Sequence, residues 1–162
     1  MDRKSLLKTL NLSRFTAFDF ETTGLDPYND RIIEIAAIRF EDGEITDRYV
    51  ELINPERPIS RMITEITGIS NKMVQNAPTE ETIIDDFLYF LGNDPLVAHN
   101  IHFDEQFLSV MCDRLSRNKG NNTNYDTLQL SRSLFFEQPV FNLGALSEYF
   151  RLSAKGAHRA EK

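Results

Sequence analysis

From Phe15 to Glu21 the chain is almost continuously apolar and rich in Phe, then closes on acids and the turn-forming Thr22-Thr23-Gly24. That pattern predicts a buried strand. Arg31 to Phe40 predicts a second, and Glu41-Asp42-Gly43-Glu44 is a turn into a third from Ile45 to Ile53, so strands two and three form an antiparallel hairpin. Asn54-Pro55 ends that strand. Pro58 to Pro78, with Thr67-Gly68-Ile69-Ser70 inside it, reads as short helical turns joined by a loop that could wrap a substrate end. Thr79 caps a helix whose first turn holds Glu80 and Glu81 and whose apolar positions are Ile83, Ile84, Phe87, Leu88 and Leu91, with Gly92 as its stop. Leu96-Val97-Ala98 is a short buried strand, Phe103 to Leu115 an amphipathic helix, and Tyr125-Asp126 a last strand before helices around Leu128 to Phe135 and Leu143 to Phe150. Three strands in a meander, then strands alternating with helices, predict an α/β layer fold: a mixed five-stranded sheet flanked by helices. Residues 1–13, with Lys4 and Lys8, read as a loosely attached leader to a domain spanning 14–162, and Asn118 to Asn124 as a polar loop.

The strand period puts Asp19 and Glu21 on one face, about 7 Å apart at roughly 3.3 Å per residue. Two carboxylates beside an apolar run are costly unless a cation neutralises them, and oxygen donors of this kind suit Mg²⁺ or Mn²⁺. The same pair would also fit a strand that simply runs out into solvent. Asp104 falls in the first turn of a helix, on a stripe with Leu108, Met111 and Leu115, so its carboxylate continues an inward-facing row. It would equally complement the positive end of the helix dipole. His99 and His102 bracket the strand-to-helix turn without a zinc spacing and read as structural or supporting groups, and Cys112 as core. His158, near the end of the sequence, would by itself be tail.

A chain of 162 residues with 41% hydrophobic positions is long enough for one compact domain. One Cys excludes an internal disulfide, no apolar run approaches the roughly 20 residues of a bilayer span, and no secretory leader is present, which together suggest a cytoplasmic protein without a membrane role. The formal charge of -7 argues against a broad basic surface for nucleic acid. That objection weakens if the acids concentrate where divalent ions bind, because the ions then supply the field a phosphate needs.

Taken together, Phe18-Asp19-Phe20-Glu21-Thr22-Thr23-Gly24-Leu25, Leu96-Val97-Ala98-His99-Asn100 with Phe103-Asp104, and Ala157-His158-Arg159-Ala160 resemble the three motifs of the DnaQ-like family of 3′-5′ exonucleases, in its His-containing DEDD (DEDDh) class. The likeness extends through Ile32-Ile33-Glu34-Ile35, Ile66-Thr67-Gly68-Ile69, Ala77-Pro78 and Tyr125-Asp126-Thr127-Leu128, and is strongest to the proofreading epsilon type and the PolC-type exonuclease domains of DNA polymerase III. The resemblance implies a ribonuclease H-like three-layer fold and two Mg²⁺ or Mn²⁺ ions. Asp19 and Glu21 would hold the catalytic ion, Asp19 and Asp104 would support the second, and His158 would be the general base. Thr22, Thr23, Gly24, Leu25, Ile66, Asn100 and Phe103 would line the terminal nucleotide. A His with an ordinary pKa of about 6.5 can accept the proton of water near neutral pH, which agrees with that role.

The implied activity is release of nucleoside 5′-monophosphates from single-stranded 3′ ends, in DNA proofreading or repair, with a DNA polymerase or helicase partner in cis or in trans. Two other readings stay open: trimming of RNA, and a non-catalytic binding module with the same fold. The chain departs from the family pattern twice. Thr67 stands where the family often has His, and the family's Asp five residues after its His would fall one residue beyond Lys162. Glu161, three residues after His158, lies about 160° around a helix from that position and does not substitute for it. The expectation is a domain cut in its last helix, weakly active until Asp follows Lys162, and, with so little basic surface, distributive.

Overall fold

The computed structural model describes residues 2–10, 12–135 and 137–152. Its centre is a mixed sheet of five strands, β1 (Arg14–Thr22), β2 (Ile32–Glu41), β3 (Glu44–Leu52), β4 (Leu96–Ala98) and β5 (Asn124–Asp126), in the order β3-β2-β1-β4-β5. β1 pairs antiparallel with β2 and β2 with β3, whereas β4 runs parallel to β1 and β5 parallel to β4. The helices are α1 (Arg3–Thr9), α2 (Arg61–Thr67), α3 (Asn71–Val74), α4 (Glu80–Leu91), α5 (Ile101–Arg114), α6 (Thr127–Leu134) and α7 (Leu143–Tyr149). The predicted α/β architecture and all five strands are present. The leader expected over the first residues contains a helix, α1, for which the sequence pattern carried no apolar stripe to announce it.

Alternation along β1 explains how it is held. Phe18 and Phe20 are buried and pack with Ile35, Ala37, Ile84 and Phe87 in the main core, the Phe20 ring meeting Phe18 edge-on at 5.3 Å and Phe87 at 5.8 Å. The alternate residues Ala17, Asp19 and Glu21 turn to the other face and are less deeply buried. α4 and α5 contribute Ile83, Phe90, Leu91, Phe107, Leu108 and Met111 to the same core, and Cys112 is buried among them as expected.

A bulge interrupts the β1–β2 ladder at the end of β1: Glu21 faces Glu34, and the next pair is Thr22 with Ile32. The extra residue, Ile33, enters a second apolar cluster with Ile59, Ile63, Ile69 and Val74 beneath α2 and α3. Bulges of this kind bend a strand and re-aim its side chains. Here the bulge lets one strand feed two cores at the point where the acids emerge.

α4 is fastened to both neighbours through Glu80. Its carboxylate accepts the Ile32 N–H at 3.2 Å through one oxygen and Arg114 of α5 at 2.6 Å through the other. Gly92, with φ of 51°, ends α4 as predicted. Thr79 occupies the N-cap, yet its hydroxyl meets Thr82 Oγ1 at 3.1 Å in place of a backbone N–H.

Candidate active site

β1 and α5 bring the acids together because β4 is short. β4 accompanies β1 only beside Thr16 and Ala17, so the later N–H groups on that edge of β1 have no strand partner there. Asp104, in the first turn of α5, takes one of them: its Oδ1 accepts the Phe20 N–H at 3.0 Å. α5 begins at Ile101, two residues before the predicted start, because Asn100 adopts the left-handed conformation (φ 65°) and turns the chain directly into the helix. Asn is among the few residues that enter this region at low cost.

Asp19 and Glu21 are partly buried and Asp104 is buried, and the three feel one another's charge. Burial, reinforced by the charge of Glu34, raises Asp19 to about 6. Burial, then Asp19 and Glu34, raise Glu21 to about 7. Asp104, only 3% exposed, is pushed up to about 8 by burial and by Asp19, against the lowering effect of the Phe20 N–H. Desolvation and like charge both disfavour ionisation, so each group is held far from its ordinary state in water. Groups perturbed in this way cluster at functional sites.

The donor chemistry fits a hard divalent cation: carboxylate oxygens, partly open, whose mutual repulsion an ion would relieve. Among the described residues, no three acidic, His or Cys side chains are gathered tightly enough to hold an ion between them. The three carboxyls thus offer oxygen donors without forming a closed cage. His158 lies outside the described residues.

The remaining residues expected at the site fall into an open rim and a buried frame. Leu25 is 84% exposed at the tip of the loop after β1, and Ile66 is 55% exposed on α2. Phe103 packs on Phe107 at 5.0 Å and is half-buried. The frame comprises Thr22, whose hydroxyl donates to the Gly24 carbonyl at 2.6 Å, and Thr23, whose hydroxyl donates to Asp30 at 2.9 Å and accepts the Arg31 N–H at 3.0 Å. Gly24 allows a close approach: a Cβ there would sit 2.3 Å from Asp30 Oδ2 and force that side chain to shift. Asn100 is exposed, and its N–H donates to Asp126 Oδ1 at 3.0 Å.

His99 supports this turn as expected, its Nδ1 lying 3.1 Å from Thr127 Oγ1, while burial pushes the imidazole below its usual range. His102 is exposed. Thr67, the departure noted above, is buried and used inside the fold: its hydroxyl donates to the Ile63 carbonyl and accepts the Ile69 N–H.

Sequence reasoning assigned no role to Glu34 or Asp126. Glu34 is 1% exposed and directly opposite Glu21, on the same face of the sheet. A Glu inside Ile32-Ile33-Glu34-Ile35 is a visible anomaly, but only the register and the bulge show which residue it faces. Asp126 accepts the N–H groups of both Asn100 and Leu128, joining the start of α6 to the turn that precedes α5.

The sequence profile of the exonuclease family of RNase T type matches residues 16–162. Among curated proteins, the chain is 41% identical over 146 residues to DNA polymerase III PolC-type of Caldanaerobacter subterraneus subsp. tengcongensis, covering 90% of this chain and 10% of that one. It is also 41% identical over 154 residues to the Bacillus subtilis protein of the same name, covering 94% and 11%. The chain thus spans about a tenth of the length of these relatives. Among solved structures, E. coli exonuclease I in complex with a dT13 oligonucleotide superposes with a TM-score of 0.81 at 21% identity, over 92% of this chain and 38% of that one. The complex of the same enzyme with dA16 gives 0.79 at 22% identity, over 91% and 37%. A family profile that takes in both β1 and α5, together with a shared fold over nine-tenths of the chain, leads to one conclusion: the chain belongs to the DnaQ-like exonuclease family.

Proposed function

We propose that this domain is a divalent-metal-dependent 3′-5′ exonuclease that releases nucleoside 5′-monophosphates from single-stranded DNA ends, in proofreading or repair. The observation that carries this reading is the meeting of Asp19 and Glu21, at the end of the central strand, with the buried Asp104 of α5, each raising the others' affinity for protons. Asp19, Glu21 and Asp104 would hold Mg²⁺ or Mn²⁺, two ions to the site. Bound ions would polarise the phosphate and make hydroxide accessible near neutral pH. Leu25, Ile66 and Phe103 would offer apolar surface to the terminal base and sugar. His158 would take the proton from the attacking water.

The relatives named for DNA polymerase III favour DNA over RNA and a polymerase partner, in cis or in trans. The exonuclease I complexes with dA16 and dT13 favour a single-stranded substrate. The test is metal-dependent release of mononucleotides from a labelled single strand in Mn²⁺. Asp19→Ala is expected to lower the rate by at least about a hundredfold, the scale of losing a transition-state electrostatic contact. Strand binding with no metal-dependent release would instead indicate a non-catalytic module.

A further inference from the structure

Beside the loop that follows β1, three cations are left without an acid partner among the described residues. Arg14, Arg39, Arg114 and Arg117 are each held by an acid, through Asp94, Asp47, Glu80 and Asp85. Arg31, Arg57 and Lys72 form no ion pair with a described residue. Two of them converge on one point: Arg57 Nη1 donates to the Asn29 carbonyl, and Arg31 Nη1 reaches the same oxygen at 3.5 Å while donating to the Asp30 carbonyl at 2.8 Å. Asp30, the acid next to Arg31, is occupied by the Thr23 hydroxyl and the Asp26 N–H. Glu56, next to Arg57, is exposed and turned by a left-handed backbone of φ 53°.

Arg57 and Lys72 then share the rim of an open groove of about 400 Å³ with Asn54, Asn71 and Gln75. Pro58 and Val74 complete its lining, and the Asn54 and Asn71 amides that border it are bonded to the Gln75 and Ile59 carbonyls. The groove lies against the loop that follows the site: Thr23 and Arg31 close that loop through the Thr23 N–H to Arg31 carbonyl bond of 2.9 Å, two residues beyond Glu21. The loop also holds out Tyr28, 76% exposed, as a flat ring with no partner ring among the described residues. Basic grooves with interleaved aromatics are how proteins track a single strand by its phosphates and stack its bases.

We propose that Arg57 and Lys72, with Arg31 on the adjoining loop, make the groove a phosphodiester-binding surface that holds the single strand behind its 3′ end. The inference rests on the exonuclease reading for its substrate, but on separate residues. Each cation on a phosphate displaces counterions, so the groove sets a salt dependence that the carboxylate site does not. A terminal mononucleotide would be positioned by the rim residues, and the strand behind it by the groove.

The test uses the full chain and its Arg57→Gln/Lys72→Gln double variant, with a long oligothymidylate and a thymidine dinucleotide. Binding is followed by fluorescence anisotropy across a KCl series in Ca²⁺, and turnover separately in Mn²⁺. For the long strand, the slope of log affinity against log salt is expected to fall in magnitude by about 1.4, at about 0.7 per lost phosphate contact on single strands. KM for that strand is expected to rise about tenfold with kcat unchanged, and the dinucleotide to be processed as before. An unchanged slope and KM in the double variant would overturn the groove while leaving the exonuclease reading in place. Salt-dependent binding lost in the variant, with no hydrolysis by either protein, would support the groove and count against the enzyme.

Discussion

Asp104 concentrates the electrostatic problem of this fold in one side chain. In the folded chain Asp19, Glu21 and Asp104 sit at about 6, about 7 and about 8, whereas unfolded carboxyls titrate near 4. The folded state therefore binds protons more tightly than the unfolded one between those limits, and stability falls as pH rises from about 4 through about 8. In chelator, the thermal midpoint is expected to be higher at pH 5 than at pH 8, and Asp104→Asn to flatten that decline. A midpoint that climbs with pH over the same range would show that other groups dominate. Asp19 and Glu21 were legible as a pair because strand period is insensitive to context, and Asp104 because the apolar positions behind it repeat at helical spacing. Glu34 was not, because a cross-strand neighbour depends on register, and a one-residue bulge is enough to change it.

Elements are joined here by a few side chains that reach across backbone ends. Glu80 is the clearest case, with one oxygen on the Ile32 N–H where β2 begins and the other on Arg114 at the far end of α5. Glu80→Ala would leave a buried N–H without an acceptor and Arg114 without its partner. The expected cost is about 2–3 kcal/mol, seen as a lower urea midpoint at unchanged m-value. A smaller m-value would instead mean that α4 had come away from the fold. The strands and the larger helices could be read from periodicity, since each has a face to bury. α1 could not, and the start of α5 was misplaced because the Asn100 turn is set by tertiary contacts to Asp126.

At the scale of the whole molecule, the two ends of β1 differ in how their charges are met. At its start, Asp94 accepts Arg14 at 2.8 Å and Arg39 at 3.0 Å, and the Arg39 guanidinium lies 4.3 Å from the centre of the Phe90 ring. At its finish, Asp19, Glu21 and Asp104 feel one another's charge with no cation among the described residues paired to them. The meander-then-crossover order that makes β1 central was legible, because alternating strands and helices leave few topologies. Its electrical asymmetry was not, since it depends on which acids find cations in space. No helix among the described residues is long and apolar enough to cross a membrane.

The amide that Asp104 takes from β1 gives this strand its own internal reference for hydrogen exchange. Phe20 N–H is closed by a carboxyl whose charge should change when an ion arrives, while Thr16 N–H, four residues earlier, is closed by the Pro95 carbonyl at 2.9 Å, whose charge cannot. Mn²⁺ is thus expected to slow exchange at Phe20, because an ionised acceptor makes the stronger bond, and to leave Thr16 as it was. Equal slowing at both amides would indicate general stabilisation by the ion. The ratio of the two rates, read from one peptide or one spectrum, would report occupancy of the carboxylate site without any substrate being cut.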